Sequence, residues 1–209
     1  MKNYAKLVLG LIFGWFILSL TLSGLDVFLN PANGVGVSVA IAAVGPIVIF
    51  SVWRTASPGF RRFTLSLNPR ALAFLQTGRV LGVVFLILAA RGVLPALFAW
   101  PAGYGDVFVG VTAPLVALWL AVPRHRLNLI AWQILGITDL VVAVGLGTTA
   151  RLINPASTPM LALTVLPLSL IPTFLVPLFL IIHMISISQA RAWQPASTDS
   201  LPAPVASRN

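Results

Sequence analysis

Six long apolar runs, separated by short stretches that hold almost every charge, constrain this chain more than any other feature. A membrane-crossing helix needs about 20 mostly apolar residues. Residues 7–28, 35–53, 71–90, 104–122, 129–146 and 161–187 meet that requirement. Lipid offers no hydrogen-bond partner to the backbone, so each run is expected to satisfy its own amides as an α-helix. The expected fold is an all-α polytopic transmembrane bundle of six spans within residues 1–190. Residues 191–209, rich in Pro, Ser and Ala without periodicity, are expected to form a disordered cytoplasmic tail. Composition agrees: 58% of residues are hydrophobic, 8% are charged and the mean hydropathy is +1.00, whereas soluble domains carry about 25% charged residues.

Lys2 and Lys6 precede the first run as in a signal peptide. The run exceeds the usual h-region and lacks a clean A-x-A site, so it reads as an uncleaved span. The net charge of +9 does not point to nucleic acid, because the basic residues sit between apolar runs. Ten of the thirteen, among them Arg54, Arg61, Arg62, Arg70, Arg124, Arg126 and Arg191, fall on one side of a six-span topology. Arg91 and Arg151 fall on the other, and Arg79 lies inside a span. The positive-inside rule then places both termini in the cytoplasm. Trp53, Trp119, Trp132 and Trp193 near one face and Trp100 near the other read as an aromatic belt, with mid-span Trp15 packing between helices. The apolar segment 92–103 is too short to span and is expected to lie at the interface or re-enter.

The chain has no cysteine and no glutamate. Disulfides, thiolate chemistry and cysteine metal sites are excluded, and any carboxylate chemistry must use Asp26, Asp106, Asp139 or Asp199. His125 and His183 form no helical metal pair, so neither a metal nor another cofactor is expected.

Charge inside a bilayer is expensive and marks function by default. Arg79 lies nine residues beyond Arg70, about 14 Å up the third span, and Asp139 eleven residues beyond Asn128, about 17 Å up the fifth. Both reach the middle of a hydrocarbon core roughly 30 Å thick, so they are expected to pair. Gln76, three residues before Arg79, shares its helix face; Gln133, six before Asp139, lies further round. Asp106 has two open readings. Pro101 suits a helix start, which would put Asp106 in the first turns, where a carboxylate favours the helix dipole; alternatively it joins Arg79 in one site. Asp26 is expected at the same outer depth. His183, near the cytoplasmic end of the last span, reads as an interfacial residue satisfied by water, with proton relay the other reading. Pro167, Pro172 and Pro177, five residues apart, each remove a backbone hydrogen bond. They make the last span a kinked helix that either merely packs or serves as a hinge with exposed carbonyls.

Gly103-Tyr104-Gly105-Asp106 resembles the GxGD element of intramembrane aspartyl proteases, which would require Asp26 or Asp139 as a second carboxylate sharing a proton. Phe108 stands where prepilin peptidases carry lysine. A wider set of strings runs from Gln76-x-x-Arg79-x-x-Gly82 through Pro101-Ala102-Gly103-x-Gly105-Asp106, Ala113-Pro114 and Gly136-x-x-Asp139 to Ile171-Pro172 and His183. It resembles a group of uncharacterised bacterial multi-pass membrane proteins. The resemblance implies a bacterial inner-membrane location and no known activity.

The favoured functional expectation is small-molecule or ion binding or transport through a polar intramembrane site built from Arg79, Asp106, Asp139, Gln76 and His183. The lipid bilayer is the expected surrounding partner. A structural or accessory subunit and an aspartyl intramembrane peptidase are the alternatives, and an enzymatic role is not the favoured one.

Overall fold

In the computed structural model, which describes residues 2–29, 36–153 and 158–193, the apolar runs fold into helices and no strand occurs among the described residues. Among the described residues seven helices follow in order: α1 (Lys2–Gly24), α2 (Val37–Ala56), α3 (Pro58–Leu65), α4 (Pro69–Ala90), α5 (Ala96–Leu120), α6 (Arg126–Ile153) and α7 (Ile171–Ala192). All but the short α3 are long and apolar enough to cross a membrane. The fold is that of a multi-pass membrane protein. The stretch from Gln194, expected to be a tail, lies outside the described residues, while Arg191 and Ala192 still belong to α7.

Local chemistry sets the helix starts. The Ser57 hydroxyl accepts the Phe60 amide at 3.2 Å, with Pro58 in the first turn of α3. Asn68 Oδ1 accepts the Arg70 amide at 2.9 Å, with Pro69 opening α4. Helix α5 begins at Ala96, directly after Pro95. Pro101, taken from sequence as a helix start, sits inside it. The segment expected to lie at the interface therefore forms, from Ala96 onward, the first turns of a span. A membrane helix tolerates such an interior proline because neighbours can satisfy the freed carbonyl.

The last span departs from expectation at its beginning. Thr158–Thr164 is a separate 3-10 turn, and α7 starts only at Ile171. Pro167 precedes the span, and Pro172 and Pro177 fall in its first two turns, where the backbone widens to a π-helical turn at Ile171–Leu175. Pro177 has no N–H to offer the Thr173 carbonyl. Trp15 Nε1 donates to that oxygen at 3.2 Å and Ser19 Oγ at 3.4 Å instead, one helical turn apart on α1. The Trp15 ring packs on Phe174 at 4.8 Å.

Large apolar side chains such as Leu9, Phe13, Ile41, Ile49, Val111 and Trp119 point outward, as a lipid-facing surface requires. The inner contacts use small residues. Ala73, Val109, Ala113 and Ala117 pack with Leu129, Trp132 and Ala190 where α4, α5, α6 and α7 meet. Trp132, expected at the interface, is buried there and donates from Nε1 to Thr112 Oγ1 at 3.0 Å. A second cluster joins Phe50, Phe60, Phe63 and Leu72 to Phe179 and Ile182, and Tyr4 stacks on Phe63. A third, around Phe85, Leu94, Phe98 and Ala99, closes the other end. At the first end Gln189 Nε2 donates to Leu67 O at 2.8 Å, and Arg126 Nη1 to Trp193 O at 3.3 Å. The described ends of the chain and the short helix α3, which carries Arg61 and Arg62, thus share one end of the bundle.

Candidate functional site

Four helices each bring one ionisable side chain to the middle of the bundle. Arg79 on α4, Asp106 on α5, Asp139 on α6 and His183 on α7 all lie near the midpoints of their helices. Asp106 is ten residues into α5, about 15 Å along the axis at 1.5 Å per residue. It is far too deep to serve the positive end of the dipole, which acts over the first turn. The expected position near the outer end of the span is therefore corrected to the middle of the helix. Asp26 is exposed in the turn after α1 with φ of 54°, and no contact links it to this group.

Arg79 is the hub. Its side chain is wholly buried, whereas those of Asp106 and Asp139 each retain 15% exposure. Nε donates to Asp106 Oδ1 at 2.7 Å and Nη2 donates to Asp139 Oδ2. Nη1 donates to the Gly136 carbonyl at 3.1 Å and to His183 Nε2 at 3.3 Å. A guanidinium only donates, so His183 Nε2 must be the unprotonated nitrogen. Nδ1 then carries the hydrogen and donates it to Gln133 Oε1. The imidazole is neutral in this arrangement. With both carboxylates ionised, the site holds two negative charges against one positive charge.

His183 was expected to be wet and near the end of its span. It is instead fully buried, because α7 begins ten residues later than the apolar run suggests. Gln133 is the residue that sequence reasoning passed over. It is fully buried, it fixes the tautomer of His183, and its own Nε2 has no partner among the described residues. A glutamine three residues before Gly136, in an otherwise apolar run, was the available signal. Gln76 is also fully buried but bonds away from the hub: Nε2 donates to Phe179 O at 3.3 Å and Oε1 is unpartnered among the described residues.

Glycines let these side chains meet. A Cβ on Gly105 would overlap Asp139 Oδ1, and one on Gly82 would overlap the Asp106 side chain. A Cβ on Gly136 would stand 2.6 Å from His183 Nε2 and 3.3 Å from Arg79 Nη1. Each of the three helices facing α7 therefore gives up a side chain where a charged or polar neighbour needs the space.

Asp106 also lines a cavity of about 210 Å3 between α2, α4, α5, α6, the Thr158–Thr164 turn and the start of α7. Its Oδ2 meets no donor among the described residues. The two carboxylates do not bond each other; each bonds the guanidinium between them.

A family model described as Domain of unknown function (DUF8737) matches residues 35–191 of the 209-residue chain. The match takes in α2 to α7, hence every residue of the site, and leaves α1 outside. No curated protein and no solved structure matches the chain.

Proposed function

This chain belongs to the DUF8737 family, and we propose that it is an inner-membrane protein that binds, and carries across the bilayer, a small molecule or ion at the Arg79–Asp106–Asp139 site. One observation carries this reading: two carboxylates share a single buried guanidinium, and one of them, Asp106, opens onto a cavity. An excess buried charge costs several kcal/mol unless something neutralises it. A bundle that used the charges only for packing would gain most from a balanced, closed pair. A proton-sharing dyad would need its carboxylates together, whereas here Arg79 occupies the position between them.

The experiment compares the small-molecule contents of membrane vesicles carrying the wild-type protein with those carrying Asp106→Asn at equal abundance. Asn still accepts a hydrogen bond from Arg79, so the fold is expected to persist. At least one solute is expected to differ in accumulation. Identical contents would overturn the reading.

Both termini lie on the cytoplasmic side in this proposal, because Arg54, Arg61, Arg62, Arg70, Arg124, Arg126 and Arg191 follow the positive-inside rule there. A cysteine replacing Ser57 is expected to resist an impermeant thiol reagent added outside intact cells. Rapid labelling from outside would reverse the orientation.

A further inference from the structure

We propose that the cavity beside Asp106 takes a lipophilic monocation: a small apolar body bearing one ammonium group. The inference rests on the functional reading above and adds the chemical class of the ligand. Three features of the cavity wall argue for it.

The wall is apolar over most of its extent, with Val39, Ala43, Ala143, Met160 and Ile171 contributing. Its volume of about 210 Å3 exceeds the roughly 150 Å3 that suffices to admit benzene to an apolar protein cavity. A compact hydrocarbon body therefore fits.

Every polar side chain in the wall is an acceptor. Thr148 Oγ1 already donates to Val144 O at 2.9 Å, and Thr164 Oγ1 to Leu161 O at 2.7 Å. Each hydroxyl has one hydrogen, so both can only accept from an occupant. Asp106 is the remaining polar side chain in the wall, and a carboxylate only accepts. Among the described residues, no lysine, arginine, histidine, asparagine, glutamine or tryptophan lines the cavity. A carboxylate or phosphate ligand would find no side-chain donor and would face a like charge.

The charge and the rings agree. A single ammonium on the occupant gives the Asp106 carboxylate a donor for Oδ2, which has none among the described residues. Phe85 and Phe98 both line the cavity, their rings 5.3 Å apart and inclined at 64°. Aromatic faces attract a cation in a desolvated setting. An aminophospholipid headgroup offers the same ammonium but brings a phosphate that this wall cannot bind, so we assign the occupant as a free amine.

The test measures binding of benzylammonium, benzyl alcohol and benzoate to the full chain in phosphatidylcholine nanodiscs, with and without phosphatidylethanolamine. Benzylammonium is expected to bind saturably and about tenfold or more tighter than the other two, the scale of one charge-assisted hydrogen bond. Asp106→Asn is expected to weaken it by a similar factor, and Ala143→Leu to block it by filling the cavity. Equal affinity for benzyl alcohol, tighter binding of benzoate, or no saturable binding of benzylammonium would overturn the proposal on the wild-type protein alone. Competition by phosphatidylethanolamine would make a lipid the occupant and overturn the assignment to a free amine. An Asp106-dependent solute in the vesicles without benzylammonium binding would sink only the ligand class. Vesicle contents independent of Asp106 would sink the functional reading itself.

Discussion

Arg79→Ala is expected to cost about 3–5 kcal/mol of stability, the range for breaking a buried ion pair from one side. Among the described residues, Arg79 is the one cation in contact with Asp106 and Asp139. Its loss leaves two carboxylates near each other with no counter-charge and removes the hydrogen bond to the Gly136 carbonyl. The acids behave differently. Asp106→Asn or Asp139→Asn leaves one carboxylate against one guanidinium, a balanced pair, and the asparagine oxygen still accepts from Arg79. Each is expected to cost about 1 kcal/mol, the scale of weakening one hydrogen bond. Unfolding in mixed micelles, followed by tryptophan fluorescence, reads both. Equal losses for Arg79→Ala and Asp139→Asn would mean that the guanidinium is not shared.

The second large effect comes from a glycine. A Cβ on Gly110 would overlap Val80 N and stand 3.0 Å from the backbone carbon of Arg79. Both obstacles are main chain, which cannot rotate aside as a side chain can. Gly110→Ala must therefore push α5 away from α4, and overpacking of this kind costs about 1–3 kcal/mol. Because Arg79 rides on the displaced backbone, the shift also lengthens its bond to Asp106. Gly10→Ala, within α1, is the matched control, with nothing within 4 Å of its Cβ. It is expected to be neutral or stabilising by up to about 1 kcal/mol, since alanine is the better helix former. If the two substitutions behave alike in the unfolding assay, the close approach of α4 and α5 is wrong.

The helices and the Arg79–Asp139 contact were legible because both depend on counting. Span length follows from bilayer thickness, and two residues at equal depth on neighbouring helices can pair. What failed was the reading of the prolines: one inside a helix was taken as a boundary, and those that stand at a boundary were taken as interior kinks. Pro101 suggested a helix start and so moved Asp106 outward, and the apolar residues from Leu161 suggested that α7 begins before its prolines. Apolar sequence marks what tolerates lipid, not where the helix axis begins. The error of ten residues in α7 was enough to place His183 at the rim instead of the centre. Gln133 and the glycines were missed for another reason. Their roles depend on how each helix is rotated against the next, and no spacing within one helix contains that rotation. Gln133 meets His183 across fifty residues of chain. Gly105 matters only because Asp139, on another helix, occupies the space of its missing Cβ.

The shared guanidinium is the centre of the account, and a double-mutant cycle on Arg79 and Asp139 tests it most directly. Unfolding free energies are measured for wild type, Arg79→Ala, Asp139→Asn and the double variant. With Arg79 present, Asp139→Asn is expected to destabilise. With Arg79 absent, the same change removes one of two uncompensated carboxylates and is expected to stabilise, so the effect reverses sign. A coupling of about 1–3 kcal/mol, with the double variant more stable than Arg79→Ala alone, is the predicted result. Effects that add to within about 0.3–0.5 kcal/mol would show that Arg79 and Asp139 do not meet in the membrane, and would contradict the site.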